Sequence, residues 1–171
     1  MTRLIALLVL SIFFLPGVGF TAAPAQPRGG PRDEGIELSG SEEGLDQGAT
    51  SERFNLMQLR DLWVRVKVNR MPRTARLTLT FVNPRGEVFY ETNVLYSHDS
   101  RANEVRVPGA SHTITSFPAR RVPGGFALDQ SIPIGTGVFM RYPQPGTWLV
   151  RATLEGHHEA LAVRMDLSVT P

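Results

Sequence analysis

Apolar and polar residues alternate along most of the chain after Arg60, with the period of two that indicates β-strands. In Asp61–Val68 an apolar residue occupies every second position, and Trp63, Arg65 and Lys67 stand between them. Successive side chains of a strand point to opposite faces of a sheet. The pattern therefore predicts a half-buried strand with these three polar or amphipathic residues on its solvent-facing side.

A first hairpin is predicted around Asn83–Gly86, which has the sequence NPRG. The run before it alternates Leu77, Leu79 and Phe81 with polar residues, and a new run begins at Glu87–Tyr90. Proline at the second position and glycine at the fourth position suit a type I turn. We therefore expect the two runs to be antiparallel neighbours.

A second hairpin is predicted at the end of the chain. Apolar residues alternate in Trp148–Leu154 and again in Leu161–Val169, and Glu155–His158 supplies the turn between them. Such a pair favours a direct reversal of the chain. The apolar run Val138–Tyr142, which prolines and a glycine follow, is predicted to be an earlier strand.

The remaining pattern adds short strands and little helix. No run after Arg60 has helical periodicity, and only Ser51–Arg60 is compatible with a short turn or helix. Roughly seven to nine short strands are typical of an all-β, antiparallel two-sheet sandwich, with a small β-barrel as the alternative. The shorter predicted strands are Val94–Tyr96, Glu104–Val107, Thr113–Phe117 and Phe126–Ile134.

Two of these regions resemble bacterial extracytoplasmic immunoglobulin-like domains. The motifs are NPRG at Asn83–Gly86 and PGTWLV at Pro145–Val150, each beside a predicted strand. The resemblance extends over Asp61–Thr170 and implies an immunoglobulin-like sandwich in which Trp148 fills the space between the sheets. For function it implies only that such domains bind or space other molecules. The cysteine pair of antibody-type domains is missing.

The amino terminus has the organisation of a secretory signal peptide. Arg3 supplies a positive charge, Leu4–Phe14 is almost wholly apolar, and Ala23–Ala25 offers small residues at alternate positions. The apolar run is shorter than the about 20 residues that cross a bilayer. We therefore expect residues 1–25 to be cleaved, leaving no stable transmembrane anchor and a periplasmic or extracellular protein, with retention of the segment as an anchor as the less favoured alternative.

The chain then changes from acidic to basic. Residues 26–50 contain six acidic residues, two arginines and few large apolar residues, so residues 26–53 are predicted to be a disordered acidic linker. From residue 51 onward, 15 basic side chains stand against 10 acidic ones. Residues 54–171 are the predicted β-sandwich domain, and its positive surplus favours an anionic partner such as a polyanionic glycan.

The composition excludes several kinds of chemistry. The chain contains no cysteine, which excludes disulfide frameworks, cysteine nucleophiles and iron–sulfur clusters. Predicted export, together with the lack of an aromatic-rich reading motif, argues against a nucleic-acid partner. We predict no cofactor.

Histidine and serine residues offer candidates for metal binding or catalysis. His157 and His158 lie in the last turn, but adjacent side chains of an extended chain point in opposite directions, which works against joint coordination. A serine hydrolase would use a triad of loop residues, although the serine lacks the glycine-flanked elbow. We therefore predict neither catalytic nor metal-binding residues. The triad candidates are Ser111, His112 and either Asp99 or Asp129.

The poorly periodic middle of the chain, Ser97–Gly125, is the predicted recognition region, because compact domains seldom contain such long irregular segments without a purpose. The predicted function is a non-catalytic binding or adaptor domain of a bacterial envelope or secreted assembly. An edge strand that accepts another chain is a second predicted contact. The residues predicted to contact a protein partner are Arg101, Arg106, Phe117, Arg120 and Arg121.

A carbohydrate- or anion-binding module is the alternative, and a small serine hydrolase is the less favoured one. A sugar-binding surface needs exposed aromatic rings beside arginines. The candidate rings are Tyr90, Tyr96, Phe117 and Tyr142.

Overall fold

A computed structural model describes residues 34–99, 104–106 and 113–171, and for 104–106 and 113–115 only the backbone. The predicted signal peptide, residues 1–25, lies outside these ranges. The described chain is all-β, with two one-turn helices, α1 (Glu42–Asp46) and α2 (Gly137–Arg141). The strands are β1 (Gly35–Ser39), β2 (Arg53–Asn55), β3 (Leu62–Val68), β4 (Thr74–Val82), β5 (Val88–Ser97), β6 (Glu104–Arg106), β7 (Thr113–Thr115), β8 (Phe117–Pro118), β9 (Arg120–Val122), β10 (Gly125–Ile132), β11 (Gly146–Leu154) and β12 (Leu161–Ser168).

The strands form two main sheets. The four-stranded sheet has the order β1-β3-β10-β9, and the six-stranded sheet has the order β2-β12-β11-β4-β5-β8. Strands β6 and β7 form a separate two-stranded ribbon. Neighbours are antiparallel except for the parallel pairs β2–β12 and β5–β8.

Both main sheets contribute to a single hydrophobic core. Val64 and Leu128 come from the four-stranded sheet, and Leu79 and Val150 from the six-stranded sheet. Trp148 is buried among them, as expected, and its indole N–H donates to the carbonyl oxygen of Gln144 at 2.9 Å. The ring is therefore buried without an unpaired donor.

The longest alternating runs form the strands predicted for them. β3 buries its four apolar residues, β4 and β5 are antiparallel, and so are β11 and β12. At the first hairpin, the N–H of Gly86 donates to the carbonyl oxygen of Asn83, and Gly86 has a φ of 84°. Glycine adopts this left-handed conformation without steric cost.

The predicted disordered linker is wrong for residues 34–53, which contain β1, α1 and the first residue of β2. β1 pairs along its length with β3, and Ser41 caps α1 through its side-chain oxygen. The few apolar residues of this acidic segment are the ones that hold it, because Leu38 and Leu45 are both buried. The segment is thus part of the fold.

The strand predicted at Val138–Tyr142 is also wrong, because these residues lie in and just after α2. The N–H of Tyr142 donates to the carbonyl oxygen of Val138, closing one helical turn. The turn buries only Phe139, which packs edge-on against Phe81 with ring centroids 5.7 Å apart. A single buried anchor suits a turn better than a strand with alternating buried positions.

In Ser51–Arg60 the chain forms β2 and then a turn at residues 56–58, so this segment contains a strand as well as the expected turn. β2 is held by the chain end, since the Asn55 amide donates to the carbonyl oxygen of Thr170 at 2.9 Å. Within the described ranges, no helix has the length and apolar character needed to cross a bilayer.

At Gly125 the start of β10 lies close to the backbone at the end of β3. A Cβ atom there would overlap the carbonyl oxygen of Val68 and lie 2.8 Å from the Cα of Asn69. We expect Gly125→Ala to lower the free energy of unfolding by about 1–3 kcal/mol, because the backbone must shift to make room. Gly35→Ala is the matched control, since its Cβ would meet nothing within 4 Å. Urea unfolding measures both variants, and equal stabilities would contradict the packing.

Candidate functional site

The outward face of the four-stranded sheet carries a row of charged side chains. Strand register places Glu37, Arg65 and Asp129 opposite one another on β1, β3 and β10. Helix α1 closes over this row, because Arg65 Nη1 donates to the carbonyl oxygen of Leu45 at 2.8 Å. The charged row is therefore partly enclosed between the sheet and α1.

Arg65 is buried, although the alternating pattern placed it on the solvent-facing side, and it is only 4% exposed. Its Nε and Nη2 donate to the two carboxylate oxygens of Asp129 at 2.7 and 3.0 Å, and Nη2 also donates to Asp46 at 2.7 Å. The bonds to Asp129 and Asp46 raise the pKa of Arg65 against the opposing effect of burial. The guanidinium stays charged and joins three parts of the chain.

Arg120 on β9 adds a second cation to the same carboxylates. Its Nη2 lies 3.1 Å from Asp46 and 3.2 Å from Asp129, and its side chain is 47% exposed. The hydrogen bond from Arg65 is the main cause that lowers the pKa of Asp46, and the charge of Arg120 assists it against partial desolvation. One buried and one half-exposed arginine thus share two aspartates.

Tyr96 connects this network to the six-stranded sheet. Its hydroxyl donates to the backbone carbonyl oxygen of Asp129 at 2.6 Å. Burial raises the pKa of Tyr96, and the negative charge of Asp129 raises it further. The phenol therefore remains a neutral hydrogen-bond donor.

Two clefts lie on either side of the ion pair between Arg120 and Asp46, and both linings include this pair. The Lys67 cleft has a volume of about 380 Å³ and the Trp63 cleft one of about 420 Å³. The remaining lining of the Lys67 cleft is Glu37, Leu45, Gly48, Arg65, Lys67, Val68, Asn69, Val122, Pro123, Gly124, Gly125 and Phe126. The remaining lining of the Trp63 cleft is Glu42, Trp63, Phe117, Pro118, Ala127, Asp129, Gln130 and Ser131.

The Trp63 cleft combines apolar rings with hydrogen-bonding groups. Trp63 is half-buried, whereas Phe117 is 47% exposed. Gln130 and Ser131 add an amide and a hydroxyl to the lining. A concave, partly apolar surface with a few polar groups is the usual character of a ligand site in proteins.

The structure brings two of the five predicted contact residues together, because Phe117 and Arg120 both line the Trp63 cleft. Arg101 lies outside the described residues. Arg106 lies in β6, where only the backbone is described. Arg120 takes part in an ion-pair network with Asp46 and Asp129, which the sequence pattern did not predict.

Arg121 belongs to a different set of contacts, beside the Lys67 cleft. Its guanidinium carbon lies 5.4 Å from the centroid of the Phe126 ring. His98 stacks on the same ring, with centroids 4.4 Å apart and an interplanar angle of 13°. The Nε2 atom of His98 is buried, with no hydrogen-bond partner in the described part of the chain.

The other candidates for chemistry remain apart. The Nε2–H of His157 donates to the carbonyl oxygen of Arg70 at 2.6 Å. Among the residues that the structure describes, no group of three or more acidic or histidine side chains could hold a metal ion. Ser111 and His112 lie outside those residues, and Asp129 is engaged by two arginines.

The four rings considered for a sugar platform differ in exposure. Tyr96 is wrong as an exposed candidate, because it is 1% exposed. Tyr90 is half-buried against Phe139, with centroids 5.5 Å apart. Phe117 and Tyr142 are exposed. Only Phe117 among the four lines a cleft described here.

The sequence interpretation missed Trp63, Arg65 and Asp46 as parts of the site. Arg65 and Trp63 stand at alternate positions on the polar side of a strand, so the pattern placed both next to solvent. A usable signal existed in the acidic segment, where Leu38 and Leu45 interrupt the polar residues. Those two apolar residues indicate that the segment, and Asp46 with it, packs on the body.

No protein-family model matches the chain, and no curated protein is significantly similar to it. The resemblance to extracytoplasmic immunoglobulin-like domains therefore stays a prediction from two short motifs.

Asp46 makes the free energy of unfolding depend on pH. The pKa of Asp46 is lowered in the folded chain. The stabilisation that ionised Asp46 provides is therefore fully present above the unfolded pKa of about 3.9, and it is lost as the pH falls through the lower pKa of the folded chain. We expect Asp46→Asn to lose less stability than the wild type between pH 6 and pH 2.5 or so. Urea unfolding across that range measures the difference. Parallel curves for both proteins would contradict the bond to Arg65.

Arg65 is expected to contribute far more to stability than Arg120. Arg65→Met leaves the carboxylate of Asp129 beside a buried apolar side chain, so we expect a loss of about 3–5 kcal/mol. Arg120→Met removes a half-exposed partner and should cost about 1 kcal/mol or less. Chemical unfolding of both variants at neutral pH tests the order. Similar losses for the two substitutions would contradict the buried role of Arg65.

Proposed function

We propose that this chain is a non-catalytic binding or adaptor domain of an exported bacterial assembly, and that a protein partner docks at the Trp63 cleft. The observation that carries the proposal is the exposed ring of Phe117 beside Trp63 and the ion pair of Arg120. Aromatic side chains and arginine are the residues most enriched at the centres of protein interfaces.

The surroundings of the cleft support binding rather than a purely structural role. Phe117 is 47% exposed and lines a concave surface together with Trp63 and several polar groups, which is the usual composition of a binding site. Arg120 is already held by Asp46 and Asp129. An arginine fixed in this way loses little conformational freedom on contact with a partner.

We further propose an immunoglobulin-like sandwich as the finer description of the fold. It is supported by two mainly antiparallel sheets that share one core, and by buried Trp148 at the start of β11. The separation into two main sheets favours the sandwich over a small barrel. The parallel additions of β2 and β8 at the sheet edges distinguish it from a simple antiparallel arrangement.

A carbohydrate is the second candidate ligand for the Trp63 cleft. Trp63 and Phe117 offer ring surfaces, and Gln130 and Ser131 offer hydrogen bonds. The excess of basic residues from residue 51 onward suggested a polyanionic ligand, but the cleft does not favour one. Counted over residues 34–171, 15 basic side chains stand against 15 acidic ones, so the positive surplus disappears once the acidic segment belongs to the fold.

Removal of the Phe117 ring tests the site. We expect Phe117→Ala to weaken partner binding by about tenfold or more, because truncation of a central aromatic residue often costs about 2 kcal/mol. Thr153→Ala is the matched control, an exposed position on the outward face of the six-stranded sheet. Immobilised wild-type and variant chains are incubated with bacterial envelope extract, and the retained proteins are quantified by mass spectrometry.

A protein retained by the wild type and by Thr153→Ala, and lost with Phe117→Ala, supports the proposal. The same three proteins on a glycan array separate the two candidates, since sugar binding that depends on Phe117 favours the carbohydrate. Equal retention by all three proteins, or no reproducible retention by folded wild-type chain, argues against a binding site at Phe117.

A further inference from the structure

Three arginines cross one face of the six-stranded sheet on neighbouring strands. They are Arg53 on β2, Arg164 on β12 and Arg151 on β11. Strand register places Arg53 opposite Asp166, which lies two residues after Arg164. Arg151 is opposite Ala162, two residues before Arg164. Since alternate residues of a strand share one face, all three arginine side chains leave the sheet on the same side. We call this row the arginine stripe.

The arginine stripe faces solvent. β11 directs Trp148 and Val150 into the core, so the next residue, Arg151, points to the outward side. Arg53 and Arg164 share that side, and all three arginines are exposed. Among the residues that the structure describes, none of the three forms an ion pair. Their guanidinium groups are therefore open to an external anion.

Successive arginines of the stripe are diagonal neighbours across adjacent strands. In an antiparallel pair such as β11–β12, Cα atoms in this relation lie about 7–8 Å apart. The stripe is thus a line, one side chain wide, that crosses three strands. Each planar guanidinium can bind a carboxylate through two parallel hydrogen bonds. This arrangement fits charges that recur along a linear polymer better than a single small anion.

The internal counterions of the protein lie on the other sheet. Acidic residues of β1, α1 and β10 pair with basic residues of β3. Strands β2, β11 and β12 contain one acidic residue, Asp166. Its carboxylate accepts a hydrogen bond from the Thr147 hydroxyl at 2.7 Å. The outward face of these three strands therefore keeps a local positive excess, although residues 34–171 as a whole are balanced in charge.

An open cleft of about 420 Å³ lies at the Arg53 end of the stripe, and its lining includes Thr147 and Ser168. Both hydroxyl groups donate within the protein, to the Asp166 carboxylate and to the carbonyl oxygen of Phe54. A hydroxyl that donates in this way still has lone pairs that can accept. The cleft can therefore accept hydrogen bonds from the hydroxyl groups of a sugar.

We propose that the arginine stripe binds a linear acidic polysaccharide, a polymer whose sugar residues carry carboxylates, and that the cleft at Arg53 holds one of these sugars. Bilayer surfaces and protein partners are bound to a large extent through exposed apolar side chains. The fully described strands β2, β11 and β12 expose no large apolar side chain. They offer charge and hydrogen-bonding groups, which an acidic polysaccharide requires. None of the three arginines lines the Trp63 cleft, so the two sites are separate.

Polygalacturonate, in which every sugar residue carries a carboxylate, tests the stripe, and uncharged dextran is the comparison. We expect the chain to bind polygalacturonate, and not dextran, in calorimetric titrations at low ionic strength, where exposed charges are least screened. Arg151→Gln combined with Arg164→Gln should weaken binding about tenfold or more, because each substitution removes hydrogen bonds to a charged group.

The matched control makes the same change in net charge outside the stripe. Arg60→Gln combined with Arg141→Gln alters two exposed positions that do not lie on β2, β11 or β12. We expect this control to keep the wild-type affinity within about twofold, since distant exposed charges contribute little. Thermal unfolding of both double variants checks that each is folded.

The carboxylate beside the stripe supplies a change in the opposite direction. Asp166 neighbours Arg53 and Arg164 and repels a polyanion. Asp166→Asn should therefore tighten the binding of polygalacturonate about threefold. The amide oxygen that replaces the carboxylate can still accept from Thr147, so the local fold is kept. A tighter complex cannot result from a damaged fold.

Several results would overturn the proposal. They are no binding of polygalacturonate by folded wild-type chain, equal binding of dextran, equal losses for the two double variants, and no gain with Asp166→Asn. Tighter binding to vesicles of phosphatidylglycerol and phosphatidylcholine, or to duplex DNA, with the same dependence on the arginines would assign the stripe to that partner instead. Phe117→Ala should bind polygalacturonate as the wild type does, and a loss there would place the polymer at the Trp63 cleft.

Discussion

A buried guanidinium in the middle of β3 is the constraint on which the arrangement of the chain depends. Removal of a charge from water costs several kcal/mol unless an opposite charge and hydrogen bonds replace the solvent. Arg65 obtains both from Asp129 on the neighbouring strand and from Asp46 in the acidic segment. The acidic segment must therefore fold onto the sheet. Leu45, buried beside Asp46 in α1, supplies the apolar contact that holds it there.

Because the acidic segment packs on the sheet, its charges partly neutralise those of the basic body. Glu37 forms an ion pair with Lys67, and Asp46 with both Arg65 and Arg120. Two of the acids that precede β2 are thus counterions of the basic body, and part of its long-range attraction for anions is cancelled within the molecule. The recognition that we propose at the Trp63 cleft then depends on local shape and on the exposed ring of Phe117, which act at contact distance.

Sequence periodicity predicted the elements whose burial alternates and missed those held in other ways. β3, the β4–β5 hairpin and the β11–β12 pair follow a period of two, so their existence and direction could be inferred. The acidic segment was wrongly predicted to be disordered, because its average composition does not show that Leu38 and Leu45 are buried or that Asp46 pairs with the distant Arg65. α2 was misjudged because one buried ring, Phe139, holds it. The Trp63 cleft depends on residues from four separate parts of the chain, and no local pattern reports such proximity.

β8 connects the Trp63 cleft to an edge of the six-stranded sheet. Its Phe117 lines the Trp63 cleft, and the same residue pairs with Tyr96 at the end of the β5 edge. β8 is only two residues long, and within the described ranges it pairs with Tyr96 and Ser97 alone on β5. Tyr96 reaches from this junction to the backbone of Asp129. The ion-pair network, the cleft and the strand edge thus meet at one short strand, so a change in its pairing would alter both surfaces together.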